Sequence, residues 1–112
     1  MSNLKGRFYF KRTSNGNLLG EFSNNQSGIC TESADRVSVE EAENTITFIG
    51  DYYASWQENK KVSLFANLNI SYKKGFSNQI YTLMWKRDNV IIFEGEGMLC
   101  DDILIGNYWD LI

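Results

Sequence analysis

The stretch Phe93 to Leu99, FEGEGML, sets Glu94 and Glu96 two residues apart, with Asp101, Asp102 and Asp110 close behind. Paired carboxylates are the material of general acid–base catalysis and of calcium sites. On a strand, positions i and i+2 share a face with Cβ atoms roughly 6–7 Å apart, the scale of a working pair. The residues around them argue for a plainer role. Phe93 and Leu99 claim the inward face, with Gly95 and Gly97 between them, so the two glutamates point outward, where water satisfies them. Asp101-Asp102 is explained as turn chemistry.

Other catalytic chemistry is scarce. The chain contains no His, which removes the usual general base near neutral pH and triads built on it. Cys30 and Cys100 are the only cysteines and form no CxxC pair, so zinc signatures are absent. They are expected as small, buried or half-buried thiols, with a disulfide between them as the alternative. The expectation is a protein that is not an enzyme and needs no metal or cofactor.

Aromatic residues make up 14% of the chain and offer a second kind of site. Tyr52 to Trp56 and Tyr81 to Trp85 share the spacing Tyr-x-x-x-Trp at an offset of 29 residues. The same offset carries Val62, Leu64, Ala66, Leu68 and Ile70 onto Ile91, Phe93, Gly95, Gly97 and Leu99. Two hairpins reuse one pattern, which fixes Tyr52, Trp56, Tyr81 and Trp85 on a common face. Core filling is the plain reading of such rings. A cavity lined by Tyr52, Trp56, Tyr81, Trp85 and Trp109, with Gly95 and Gly97 leaving space beside them, is the functional one. On the other face, Phe65, Ile92 and Met98, with Leu19 and Ile49, are apolar at positions predicted to meet solvent. They are candidates for a protein interface or a homodimer contact. Arg7 and Arg12 are expected at the surface, or closing a barrel end.

Strands must position these residues. Alternation is clearest from Lys61 to Lys73 and marks a long strand with one face buried. Turn signals at Ser14-Asn15-Gly16, Glu58-Asn59-Lys60, Lys73-Lys74-Gly75, Arg87-Asp88-Asn89 and Cys100-Asp101-Asp102 separate strands predicted at 5–13, 17–24, 45–57, 61–73, 79–87, 90–99 and 103–111. An eighth falls between 28 and 40. Gly50 is expected to mark a bend. Residues 25–44 are polar and weakly patterned, an irregular connection that would cover some outward apolar residues, with a helical turn near 39–43 suggested by Ser38-Val39-Glu40-Glu41. Short links join antiparallel neighbours. The predicted fold class is therefore all-β, an antiparallel up-and-down meander closing into a seven- or eight-stranded barrel, with a two-sheet β-sandwich as the alternative.

With 112 residues the chain is one domain, able to fold without metals or disulfides. Eleven basic against fourteen acidic residues leave a net charge of −3, which gives nothing to neutralise a nucleic-acid backbone. No apolar run approaches the length of a membrane-spanning helix. MSNLKGRFYF lacks a signal-peptide pattern, so a cytoplasmic location is expected.

Three features resemble the calycins, the lipocalin and avidin type of small barrel: Gly6-Arg7-Phe8 opening the first strand, the hairpin NGNLLGEF, and the final strand GNYWD. Phe8 stands where lipocalins have a tryptophan, and the polar set with which avidins hold biotin is missing. The resemblance implies a barrel with one more open end, where a small ligand or a partner's loop binds. Two functions are expected on this basis. One is a non-enzymatic binding protein for a small apolar or aromatic ligand. The other is a small acidic interaction module, of inhibitor or immunity type, acting through its outer face or loop ends.

Overall fold

The computed structural model describes residues 4–37, 47–58, 62–75 and 80–111. They form eight antiparallel strands: β1 (Lys5–Arg12), β2 (Leu18–Asn24), β3 (Ser27–Arg36), β4 (Gly50–Glu58), β5 (Val62–Tyr72), β6 (Ile80–Arg87), β7 (Val90–Cys100) and β8 (Ile103–Asp110). Each strand pairs with the next, and β8 returns to β1 from Lys5↔Trp109 to Lys11↔Ile103. That last ladder closes the barrel and excludes the two-sheet sandwich.

The strands follow the alternation in the sequence. In β5, Ala66, Leu68 and Ile70 are buried while Phe65 and Asn67 face out; in β6, Tyr81, Leu83 and Trp85 take the inward positions. The tight links use residues that tolerate left-handed backbone. Asp88 and Asn89 have φ of 53° and 65°, and Asp101 and Asp102 have 50° and 66°. Two consecutive left-handed residues match the right-handed twist of the flanking strands, which is why two-residue hairpins use them.

Three expectations need correction. Within the polar segment 25–44, expected as an irregular connection, the eighth strand expected between 28 and 40 is present as β3, a wall strand paired with β2 and β4, so this part of the segment covers no outward apolar residue. The helical turn expected near 39–43 falls outside the described residues. The strand expected from residue 45 begins at Gly50, whose φ of 143° takes the chain out of the β region allowed to other residues. A Cβ at Gly50 would also lie 2.6 Å from Arg36 Nη1. Finally, the register shifts in the β6–β7 ladder, from Trp85↔Phe93 to Lys86↔Ile91. Ile92 is left over, and it is Ile92 rather than Ile91 that packs partly against the core, so the 29-residue offset breaks at this bulge. Leu99 keeps inward parity opposite Leu104 but is 45% exposed, one pair from the hairpin where the wall ends.

The interior is filled by pairing rings with glycines across the ladders. Phe8 stands opposite Gly106, Phe10 opposite Gly20, Tyr81 opposite Gly97, and Tyr108 opposite both Gly6 and Gly95. The space at the glycines of FEGEGML is therefore taken. A Cβ at Gly95 would meet Trp85 and Tyr108 at 3.3 Å, and one at Gly97 would meet Leu104 at 3.1 Å and Phe8 at 3.3 Å. At Gly106 the limit is backbone, since a Cβ would stand 1.9 Å from the Glu96 carbonyl oxygen. Gly106→Ala should destabilise the protein by about 3 kcal/mol or prevent folding, because overpacking against backbone cannot relax by a side-chain move. Gly28→Ala, with no atom within 4 Å of the added methyl, should be neutral or stabilise by up to about 1 kcal/mol. Urea unfolding of the two variants separates these outcomes.

Candidate functional site

The inward face of β3 carries Cys30, Glu32, Ala34 and Arg36, so it brings two charged side chains into the barrel. Between its neighbours Gly20 and Trp56, Glu32 is 7% exposed. The Trp85 indole Nε1 donates to its Oε2 at 2.9 Å. Its other oxygen, Oε1, has no hydrogen-bond partner among the described residues. Burial is the dominant influence and pushes the carboxyl up to about 7, with the indole hydrogen bond acting in the opposite direction.

A collar of rings surrounds this carboxylate at the end of the barrel where β1 starts. Phe22 and Trp56 have centroids 6.5 Å apart, Trp56 and Phe93 6.3 Å, Phe93 and Tyr108 5.9 Å, and Tyr108 and Phe22 6.1 Å, which completes a circuit. Trp85 lies against both Phe93 and Tyr108, at 6.4 and 6.0 Å. Most of these contacts are edge-to-face, the arrangement that ring quadrupoles favour. Within the collar is a cavity of about 30 Å³, bounded by these rings, Phe8, Glu32, Leu4 and Asn24. By that measure a single water needs on the order of 10–15 Å³, so the cavity admits about two. At the rim, Asn24 Nδ2 donates to the Tyr108 hydroxyl at 2.9 Å.

The opposite end is closed by Arg36. Its Nε donates to the Gly16 carbonyl at 3.1 Å, Nη1 to Ile49 O at 2.9 Å, and Nη2 to Thr47 O and the Tyr52 hydroxyl, both at 2.6 Å. The guanidinium carbon lies 4.7 Å from the centre of the Tyr52 ring. Tyr52 in turn donates to Phe48 O at 2.8 Å, and burial pushes its phenol up to about 12. Arg12 stands 5.4 Å over the Phe48 ring. This end is a plug: its polar groups face one another.

The structure therefore divides the candidates. Trp56 and Trp85 share the collared cavity. Tyr52 belongs to the Arg36 plug, and Tyr81 stacks near Tyr72 at 5.2 Å, away from the collar. Gly95 and Gly97 are buried behind rings and do not line the cavity. Trp109 is half-buried on the outward parity, opposite Lys5 and Glu94. Phe65 and Met98 are exposed at 65% and 55%, whereas Ile92 and Ile49 pack partly against the core. Glu96 faces out, held by Lys73 at 2.7 and 2.8 Å, and Asp101-Asp102 makes a turn. Among the described residues no group of three or more acidic, Cys or His side chains is placed to hold a metal ion. Both cysteines are free thiols. Arg7 is exposed.

Glu32 is the residue that sequence reasoning missed. The signal was parity: a strand that buries Cys30 and Ala34 also turns residues 32 and 36 inward. A comparison with protein-family models, curated proteins and solved structures finds nothing that matches the chain.

Two predictions follow from this geometry. Because the native carboxyl of Glu32 titrates at about 7 against an ordinary 4.5, the folded state binds this proton more tightly than the unfolded chain. The stability it contributes is complete below about pH 4.5 and is lost as pH rises to about 7, a change of about 3 kcal/mol. Urea unfolding across that window should show the loss in the native protein and not in Glu32→Gln. Trp56→Ala and Trp85→Ala should each cost about 3–5 kcal/mol, since both indoles are buried against the collar.

Proposed function

We propose that the protein is a non-enzymatic binding module of calycin type, which receives the tip of a small ligand at the collared end of its barrel. The observation that carries this reading is Glu32, a buried carboxylate that lines a gap between packed rings and has one oxygen without a protein donor among the described residues. A cavity of about 30 Å³ cannot enclose a ligand, since pockets that do so run from roughly 300 Å³ upward. The apolar body of the ligand lies instead across the mouth, against Leu4 and the edges of the collar. Catalysis is disfavoured: the other polar groups lining the cavity, Asn24 and Tyr108, bond to each other, and no Ser, Thr or Cys is among the described residues that line it.

A second reading, homodimer formation through the outer wall, has its own support. Met98 stands opposite Ile105, and Ile105 opposite Tyr9, in one outward row across β7, β8 and β1. Ile29, 76% exposed, borders the same shallow groove. A dimer on this face would dissociate in Ile105→Lys, read as a fall in sedimentation coefficient.

Chemical-shift mapping with short-chain alcohols and amines tests the first reading. Shifts should concentrate on Phe22, Glu32, Trp56, Trp85, Phe93 and Tyr108, leaving Tyr52 and Tyr81 unmoved. Shifts confined to Met98 and Ile105, or no saturable shift, would overturn it.

A further inference from the structure

We propose that the group received beside Glu32 is a primary alkylammonium head, which donates to Oε1 and is walled by the aromatic collar. This rests on the assignment of the binding site to that end of the barrel. Three observations select the chemistry.

The first is the unspent acceptor. Oε2 takes the Trp85 indole hydrogen, while Oε1 has no donor among the described residues although the side chain is more than nine-tenths buried. A carboxylate accepts at both oxygens, so Oε1, which is not sealed from solvent, keeps an acceptor for a donor from outside. A ligand with N–H donors satisfies it, whereas an anion or a bare acceptor does not.

The second is the missing countercharge. Among the described residues no cationic side chain borders the cavity, and the influences on the Glu32 carboxyl are burial and the indole hydrogen bond. Arg36, on the same strand face, is about 13 Å away at the strand's rise per residue and is bonded to groups of the opposite end. The ring walls add to the same preference, because π systems attract cations lying within about 6 Å of the ring centre.

The third is size. Space for about two waters accepts an –NH₃⁺ and the methylene behind it. It rejects a quaternary ammonium, which is wider and has no hydrogen to give. The remaining methylenes of the chain lie against Leu4 and the rings, as the stems of amphipathic side chains do. The same head exists on a free alkylamine and on a lysine side chain of a partner protein, and the two sources are separable by experiment.

The test is a titration of the full chain, followed by tryptophan emission and chemical shifts, with n-butylammonium, 1-butanol and tetramethylammonium. At pH 8 n-butylammonium should bind at least tenfold tighter than 1-butanol, and tetramethylammonium should not compete. Glu32→Gln, nearly isosteric and checked for native near-ultraviolet dichroism, should abolish that preference while retaining weak butanol binding. Among the residues lining the cavity only Glu32 on β3 and Tyr108 on β8 titrate; the remaining walls are rings, Leu4 and Asn24. Butylammonium binding should therefore weaken steeply between pH 8 and pH 5 in the native protein, as Glu32 takes up a proton. Equal binding of butanol and butylammonium at the collar would overturn the ammonium proposal and leave the binding site standing. No saturable binding of either would overturn both. An Nα-acetyl-lysine methylamide that binds as tightly as butylammonium assigns the head to a partner's lysine; a tenfold weaker one assigns it to a free amine.

Discussion

The volume enclosed by eight closed strands is fixed by strand number and stagger, and it is just enough for side chains to fill. This chain directs Phe8, Phe10, Phe22, Tyr52, Trp56, Tyr81, Trp85 and Tyr108 inward. They can coexist only if other inward positions give up volume. The glycines at 6, 20, 95, 97 and 106 do that, each opposite a ring on a neighbouring strand. The same glycines let the strands approach and coil tightly enough to close. Large rings, small partners and closure are thus one constraint, and loosening it at any pair changes the shape of the interior.

A filled interior makes its polar residues conspicuous. Two of them, Glu32 and Arg36, enter on β3, four residues apart, and meet different fates. Arg36 finds four acceptors and a ring face, which ties the chain ahead of β4 to the first hairpin and seals one end. Glu32 finds a single donor. The spacing prevents the two from neutralising each other, since four residues of strand span about 13 Å. The two charges of β3 therefore lie toward opposite ends of the barrel, with Arg36 spent on structure and one oxygen of Glu32 without a donor among the described residues.

How much of this could be read from the sequence follows from the same physics. Strands β5, β6 and most of β7 were legible because one face is apolar throughout, and the hairpins at 88–89 and 101–102 because only a few residue types accept two left-handed positions. The barrel followed from long strands and short links. Least legible was β3, expected only as an eighth strand somewhere between 28 and 40, because its inward face is half charged and hydrophobic alternation does not mark a strand that turns Glu32 and Arg36 inward. The bulge at Ile92 escaped for a different reason, since an extra residue in a run of Val, Ile and Phe leaves no gap in the apolar pattern. Among the site residues, Trp56 and Trp85 were legible as rings on one face. Their separation from Tyr52 and Tyr81 was not, because parity reports the face of a strand and not the position along the barrel axis.

The position of Glu32 can be weighed against what would serve stability alone. Its strand neighbours are Gly20 and Trp56, its surroundings are rings, and the unfilled space beside it is about 30 Å³. A leucine or methionine there would meet apolar walls, need no hydrogen bond and reduce the void, and burying such a side chain contributes about 1.5–3 kcal/mol. A carboxylate in the same place is largely desolvated and has one protein donor, an arrangement less favourable to the fold than an apolar side chain. Arg36 shows that this barrel can surround a half-buried charge with its own acceptors, three backbone carbonyls and the Tyr52 hydroxyl. Leaving Glu32 with one protein donor at the collared end is therefore a local departure from packing logic, beside a gap that has room for a small polar group.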